Sequence, residues 1–202
     1  MAGEYSASAS LDDPMSRAQD SLMSDARPRL NTPRLTLRPP EAQDFEAWAA
    51  FMADAPTAEF IGGVQPRAGA WRALMAMAGS WSLQGFAMFS VIEKNSGRWI
   101  GRVGPWYPEG WPGTEVGWGI VHDCWGRGYA TEAATAAIDW ALDALGWTEV
   151  IHVIDPRNAP SQAVARKLGS SNRGRGSLPA PFTDAVVDIW GQSAADWRCS
   201  HP

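Results

Sequence analysis

The chain has few of the residues that build disulfide frameworks and metal sites. Its 202 residues include two cysteines, Cys124 and Cys199, and three histidines, and neither set has the spacing of a metal-binding or redox motif. We therefore expect a reduced, cytoplasmic chain without a bound metal.

Positive charge and long apolar runs are also scarce. Lys and Arg number 17 against 22 Asp and Glu, which gives a formal net charge of −5. Because proteins that bind nucleic acids usually carry a basic face, we expect no nucleic-acid partner. No apolar run approaches the roughly 18 residues that a membrane helix needs, so we expect no membrane partner either.

The first 30 residues differ in composition from the rest. They are rich in Ser, Ala and Asp and contain no apolar signal-peptide core. We expect a disordered or loosely docked extension over residues 1–30, followed by one domain over residues 31–198.

Hydrophobic periodicity alternates between strand and helix along the remainder. Strand patterns cover residues 34–38, 86–93, 98–103, 115–121, 149–154 and 185–190. Helix patterns cover residues 41–52, 69–84, 129–145 and 160–168. This order predicts a mixed α/β sheet in a single domain.

Tryptophan is abundant, with twelve in the chain. We expect most of them in the core. Trp106, Trp111 and Trp125 flank glycine or proline in predicted loops, and these three are candidates to line a pocket.

Residues 114–134 run from a strand through a glycine-rich loop into an amphipathic helix. Gly126 and Gly128 allow the loop to turn inward, so the N–H groups of residues 126–131 converge at the positive end of that helix. Such a junction binds an anion, most naturally a phosphate, and Arg127 and Thr131 would add a charge and a hydroxyl. The segment is not a P-loop, because no Gly-Lys-Ser/Thr follows, and it lacks the third glycine of the Rossmann fingerprint.

Two neighbouring segments strengthen this site. Gly117 and Gly119 share one face of the preceding strand, which indicates either close packing by a neighbouring tryptophan or an extended ligand against the backbone. Asn158 and Ser161 follow the next buried strand, where they could cap a helix, contact a ligand in the same crevice, or do both.

Together these segments resemble the GCN5-related N-acetyltransferase (GNAT) family over roughly residues 33–192. Residues 125–133, Trp-Gly-Arg-Gly-Tyr-Ala-Thr-Glu-Ala, resemble its acetyl-CoA pyrophosphate loop, and residues 158–169 resemble its second conserved block. Residues 34–39, Arg-Leu-Thr-Leu-Arg-Pro, resemble the opening of the branch that acetylates ribosomal-protein N-termini. At the entry to the loop, Asp123 stands where the family often has Gln or Arg.

The resemblance implies a GNAT-like α/β fold, with a mixed, mostly antiparallel sheet that is flanked by helices and splays open at the acetyl-CoA site. The opening would lie between strands 115–121 and 149–154, with the pantetheine arm in the gap and the pyrophosphate on the glycine loop. Arg166 or Lys167 would reach the nucleotide phosphates. The implied cofactor-binding residues are Ile120, Val121, Trp125, Gly126, Arg127, Gly128, Tyr129, Ala130, Thr131, Asn158, Ser161 and Lys167.

The implied activity is direct acetyl transfer from acetyl-CoA to a primary amine in a ternary complex. Glu115 is the candidate base, with a solvated strand-end carboxylate as the alternative interpretation; His152 and Asp155 are weaker candidates. The Val121 N–H would stabilise the oxyanion. Because no tyrosine follows Tyr129, Ser161 would protonate the thiolate.

The acceptor is less defined than the donor. Acceptor specificity should come from Gly62 and Gly63, the two early helices, the loop at residues 106–111 and the loop at residues 179–181. A peptide N-terminus, a polyamine-like amine, an aminoglycoside or an amino acid would each fit. Alternatives are a non-catalytic acyl-CoA-binding module or sensor and a nucleotide-binding structural protein; exposed tryptophans would support a homodimer.

Overall fold

An eight-stranded sheet organises residues 28–201, the part of the chain that the computed structural model describes. Its strands are β1 (Leu30–Asn31), β2 (Leu35–Arg38), β3 (Phe89–Glu93), β4 (Trp99–Trp106), β5 (Glu115–Ile120), β6 (Glu149–Ile154), β7 (Ser171–Gly176) and β8 (Val187–Ser193). Their spatial order is β1-β2-β3-β4-β5-β6-β8-β7, and every neighbouring pair is antiparallel except β5 and β6. This confirms the predicted mixed, mostly antiparallel sheet.

Six helices cover the sheet within the described residues. They are α1 (Phe45–Ala53), α2 (Ala55–Ala58), α3 (Arg67–Gln84), α4 (Tyr129–Ala144), α5 (Ala159–Lys167) and α6 (Ala194–Ser200). Helices α1 and α3 pack on one face around Trp48, Phe51 and Trp99. Helix α4 packs on the other face. None of the helices in residues 28–201 is long and apolar enough to cross a membrane.

Helix α4 explains how closely the layers approach each other. Its buried stripe consists mainly of alanine, with Ala133, Ala134, Ala137 and Ala141 fully buried beside Ile138. Small side chains allow the helix backbone to lie near strands β4 and β5, so the start of the helix is held against the end of β5.

Four short elements were not predicted from the sequence: β1, α2, β7 and α6. Strand β7 has the sequence Ser-Asn-Arg-Gly-Arg-Gly and is exposed at the sheet edge, so no apolar alternation marks it. The extension predicted over residues 1–30 lies outside the described residues except for its last three, and Leu30 already belongs to β1.

The expectation of a tryptophan-rich core is confirmed for several residues. Trp48, Trp99, Trp190 and Trp197 are buried. Trp71 and Trp125 are exposed, and Trp125 lies beside the glycine loop, as described below.

Candidate active site

The site begins where β5 and β6 separate. These parallel strands pair at one register position, Glu115 with Ile151, supported by a bond from the Ile151 N–H to the Thr114 carbonyl (2.9 Å). In a regular parallel ladder the next bond would join the Val153 N–H to the Val116 carbonyl.

Two side chains replace that missing bond. The Val153 N–H donates to Oε1 of Glu115 (3.1 Å), and the Val116 carbonyl lies 2.7 Å from Nδ1 of His152. The strands therefore diverge without leaving these two backbone groups unsatisfied. Glu115 and His152 together form a clasp at the closed end of the gap.

The hydrogen-bond pattern between β4 and β5 fixes which N–H groups face the gap. The Val121 N–H donates to the Ile100 carbonyl (2.9 Å), and antiparallel bonding alternates from residue to residue. The backbone groups of Trp118 and Ile120 therefore point away from β4, beyond the last paired residues of β5 and β6. At the open end, the Trp125 indole donates to the Ile120 carbonyl (2.7 Å).

The glycine loop leads from this gap into helix α4. Gly126 and Gly128 have φ angles of +73° and +81°, a left-handed conformation that favours glycine. Gly128 is the N-cap and supplies no side-chain cap, and the first helical bond runs from Glu132 N to the Gly128 carbonyl (3.0 Å). The N–H groups of residues 129–131 precede that bond and remain available to an anion.

A cavity of about 470 Å³ joins the gap to the loop. One wall is the segment from Pro56 to Ile61, and the other is helix α5 with Lys167 near its end. Between them lie the end of β5, the glycine loop and the start of α4. The predicted cofactor-binding residues that line the cavity are Ile120, Trp125, Gly126, Gly128, Tyr129, Ala130, Thr131, Asn158, Ser161 and Lys167.

The second predicted block contributes a positioned hydroxyl. Asn158 caps helix α5 by accepting the Ser161 N–H (3.0 Å), which confirms the capping interpretation for that residue. The Ser161 Oγ accepts the indole N–H of Trp118 (3.2 Å). Because one acceptor position of the hydroxyl is occupied, its own proton is free to be donated into the cavity.

Glu115 lies on the opposite face of β5 from Trp118. Its carboxylate is buried and accepts the Trp111 indole N–H on Oε2 (2.6 Å) in addition to the Val153 N–H. Burial raises the pKa of Glu115 to about 7, although both hydrogen bonds and the positive charge of Arg102 act in the other direction.

The two weaker candidates for the base are both engaged. Burial lowers the pKa of His152 to about 4, so the ring is neutral, and a neutral ring next to the Val116 carbonyl carries its proton on Nδ1. Its Nε2 then accepts from Ser170 Oγ at 3.0 Å. Asp155 forms an ion pair with Arg157 (2.7 Å).

Comparison with known proteins identifies the family. The acetyltransferase (GNAT) domain, as a sequence family, matches residues 34–171, which is more than half of the chain. The chain belongs to the GNAT acetyltransferase family. It is an N-acetyltransferase, as the sequence resemblance implied.

Several GNAT relatives support this assignment. The "Uncharacterized N-acetyltransferase p20" of Bacillus licheniformis is 28% identical over 149 residues, which cover 72% of this chain and 83% of p20. An acetyltransferase from Agrobacterium tumefaciens superposes with a TM-score of 0.73 at 29% identity, over 84% of this chain and 96% of that one. Mycobacterium smegmatis RimJ, solved in complex with CoA-disulfide, has a TM-score of 0.66 at 19% identity, over 86% and 90% of the two chains, a likeness of fold alone.

Three of the predicted GNAT site residues, Glu115, Val121 and Arg127, do not line the cavity. Val121 lines a second cavity of about 510 Å³, and its N–H is already bonded to the Ile100 carbonyl. The assignment of the Val121 N–H as oxyanion donor is therefore wrong, because the hydrogen-bond pattern turns it toward β4. Arg127 also does not line the cavity; its carbonyl accepts from Arg34 (2.9 Å).

The glycine face of β5 is filled by side chains. A Cβ at Gly117 would lie 2.7 Å from Met88 Cε, and one at Gly119 would lie 2.8 Å from Phe51 Cζ. The packing interpretation is thus right in kind, although the neighbours are methionine and phenylalanine rather than tryptophan. Met88 and Phe51 leave no room for the predicted extended ligand against the backbone of Gly117 and Gly119, and the open backbone is at the gap instead.

Other loop side chains stabilise the fold around the GNAT cavity. Glu132 accepts from Arg34 at 2.6 Å, and Arg34 also lies 4.5 Å from the centre of the Tyr129 ring. Tyr129 therefore offers its backbone N–H to the cavity while its ring packs against Arg34 and its hydroxyl donates to Glu93. Asp123, the departure from the family pattern, forms an ion pair with Arg98 (2.8 Å), which lowers its pKa and offsets its charge.

Sequence reasoning missed several residues of the site. The wall from Pro56 to Ile61 carries no motif, and it belongs to the site only through the packing of α1 and α2. Trp118, which no sequence feature separates from the other tryptophans, donates its indole N–H to Ser161. Outside the cavity lining, Arg102 is a lone charge in the apolar, glycine-rich strand β4.

Proposed function

We propose that this GNAT protein transfers the acetyl group of acetyl-CoA directly to a primary amine, either a peptide N-terminus or a small amine, in a ternary complex. The observation that carries the proposal is the continuity of the site. One cavity connects the open N–H groups at the start of α4 with the gap between β5 and β6.

The residues present fit acetyl-CoA. The N–H groups of residues 126–131 and the Lys167 ammonium suit its phosphates, whereas Arg166 lies 5.1 Å from the Trp190 ring centre, outside the cavity lining. The N–H groups of Trp118 and Ile120 suit the amide-containing arm. When bound, acetyl-CoA supplies an acetyl thioester, whose carbonyl carbon bonds to the amine nitrogen as its bond to sulfur breaks.

Glu115 is the proposed base. Because its pKa is about 7, the Glu115 carboxyl group is about half ionised at neutral pH. It can therefore accept a proton and release it afterwards. Because Glu115 is buried and bonded to Trp111 and Val153, we propose that it takes the ammonium proton through a water molecule.

Ser161 is the proposed acid. It lines the cavity, and the bond from Trp118 orients its oxygen, so that its proton can pass to the departing thiolate. The Trp118 or Ile120 N–H replaces that of Val121 as the proposed oxyanion donor, since both face the gap.

Two substitutions test these roles. Ser161→Ala and Glu115→Gln should each lower kcat by at least about 10-fold, because each removes a proton-transfer group. The dissociation constant for acetyl-CoA, measured by calorimetry, should change little. Ser82→Ala on α3 and Glu149→Gln at the start of β6 are matched controls at exposed positions and should keep the wild-type kcat.

Normal kcat in either site variant would remove that residue from the mechanism. A parallel loss of acetyl-CoA affinity and kcat would instead indicate damage to the cavity. Thermal melting of each variant separates such damage from loss of a chemical group.

A further inference from the structure

Arg102 lies in the middle of β4, on the sheet face that carries α1. Its guanidinium carbon is 5.3 Å from the centre of the Trp48 ring and 5.9 Å from that of Phe51, within the range of cation–π attraction. The residue as a whole is partly exposed.

Asp44, the acid that contacts Ser90, is already bonded to another arginine. Ser90 lies between Arg38 and Arg102 across three strands. Asp44 holds Arg38 by two bonds, at 2.7 and 2.8 Å, and accepts from Ser90 at 2.7 Å.

Arg102 therefore has no counter-ion of its own. Among residues 28–201, no carboxylate lies within ion-pair distance of Arg102, and only the more distant charge of Glu115 acts on it. The indole N–H of Trp48, on the ring beside the guanidinium, is buried and has no acceptor within the described residues either.

A cation without a counter-ion, beside a buried donor without an acceptor, favours an anionic ligand. Desolvating a charge is costly unless an opposite charge accompanies it, and desolvation lowers the pKa of Arg102 to about 10 while leaving it cationic at neutral pH. A carboxylate would fit the planar guanidinium with two parallel hydrogen bonds.

Glu115 lies on the same sheet face, four residues along β5 from the position opposite Arg102. That position is Gly119, and Gly104 and Gly117 lie between it and Glu115. Met88 and Phe51 cover the backbone there, so a ligand on this side of the sheet would meet a negative group at one end, a positive group at the other, and these apolar side chains between them. That arrangement complements a zwitterion with an apolar portion.

We propose that Arg102 binds the carboxylate of the acetyl acceptor, and that the acceptor is an amine bearing a carboxylate, of the amino-acid class. This inference rests on the proposed function, because it assigns the acceptor of the same site. It disfavours polyamines and aminoglycosides, whose extra positive charges would face Arg102.

The test compares acceptors that differ only at the carboxylate. One matched set consists of phenylalanine, phenylalaninamide and phenethylamine. The further acceptors are γ-aminobutyrate, spermidine, and peptides with a neutral or an acidic second residue. The kcat/KM is measured by thiol release, and binding of each amine in the presence of CoA is measured by calorimetry.

The acid should exceed its amide by at least about 10-fold in kcat/KM, because a charge-assisted bidentate contact is lost in the amide. Arg102→Met should reduce kcat/KM for phenylalanine to within about two-fold of kcat/KM for phenylalaninamide. The kcat/KM for phenylalaninamide itself should change little. Arg102→Lys should restore part of the preference, and Arg72→Met, at an exposed position on α3, should leave it intact.

Equal use of acid and amide by the wild-type protein would overturn the inference while leaving amine acetylation standing. An unchanged preference in Arg102→Met, with normal melting and acetyl-CoA binding, would overturn it as well. Arg102-dependent binding of carboxylate amines without thiol release would support the inference and contradict the proposed function. Preference for the acidic peptides over free amino acids would place the carboxylate on a polypeptide.

Discussion

Glu115 combines two functions at the scale of one residue. Its carboxylate accepts the Val153 N–H in place of a backbone carbonyl of β5, and it is also the proposed base. The two are compatible because burial, rather than a missing partner, raises its pKa to about 7.

The pH dependence of the rate follows from that pKa. The carboxylate form accepts the proton, so kcat/KM should rise with pH through a value near 7, whereas an ordinary glutamate would be ionised from about pH 5 upward and give no such limb. The measurement is a profile of kcat/KM from about pH 5.5 to 9, with one acceptor amine.

The acceptor amine also titrates, which requires a control. Glu115→Gln should lose the limb near pH 7 and retain the limb set by the amine. A limb near pH 7 that persists in Glu115→Gln would assign the titration to another group and contradict the role of Glu115.

Residues whose function depends on local geometry could be predicted from the sequence. Gly126, Gly128 and Asn158 are examples, since turn chemistry and capping involve residues only a few positions apart. Val121 could not be placed, because its N–H direction depends on its pairing with β4. The lack of a counter-ion for Arg102 depends on Asp44 being engaged by Arg38, which no sequence pattern shows.

At the scale of elements, the glycine loop and the start of helix α4 are the proposed phosphate side of the site. A Cβ at Gly126 would meet nothing within 4 Å, so the cavity wall itself has space for a methyl group. The constraint is the backbone, whose φ of +73° is unfavourable for other residues.

Gly126→Ala should therefore weaken acetyl-CoA binding by at least about 10-fold, because relief of the left-handed strain, roughly 1–2 kcal/mol, moves the N–H groups out of position. Gly97→Ala, in the turn between β3 and β4, is the matched control: its φ is +69° and its Cβ position is also open. Both variants should lose similar thermal stability, and only Gly126→Ala should lose acetyl-CoA affinity by calorimetry. Equal affinity in the two variants would show that the loop does not hold the phosphates.

Element order was predictable, and edge elements were not. Strong periodicity marks α4 and a continuous apolar run marks β6, so their existence and type were predicted from the sequence. Strand β7 forms only because β8 offers an edge to pair with, and its polar, exposed sequence gives no periodicity.

At the scale of the whole molecule, the sheet separates two sides of the reaction. Helices α4 and α5 and the 470 Å³ cavity lie on the proposed acetyl-CoA side, with Trp118 and Ser161. Helices α1 and α3 lie on the side of Glu115 and Arg102, where we place the acceptor. We propose that the two sides meet at the gap between β5 and β6, as direct transfer requires.

The central claim is direct transfer from acetyl-CoA to an amine held at the same time. The most direct test is the initial rate of thiol release, measured while the acetyl-CoA and amine concentrations are varied against each other. We predict amine-dependent release with intersecting reciprocal plots, and an acetylated amine as the product. Saturable acetyl-CoA binding without amine-dependent thiol release, across the whole acceptor panel, would contradict the claim and indicate an acyl-CoA-binding module.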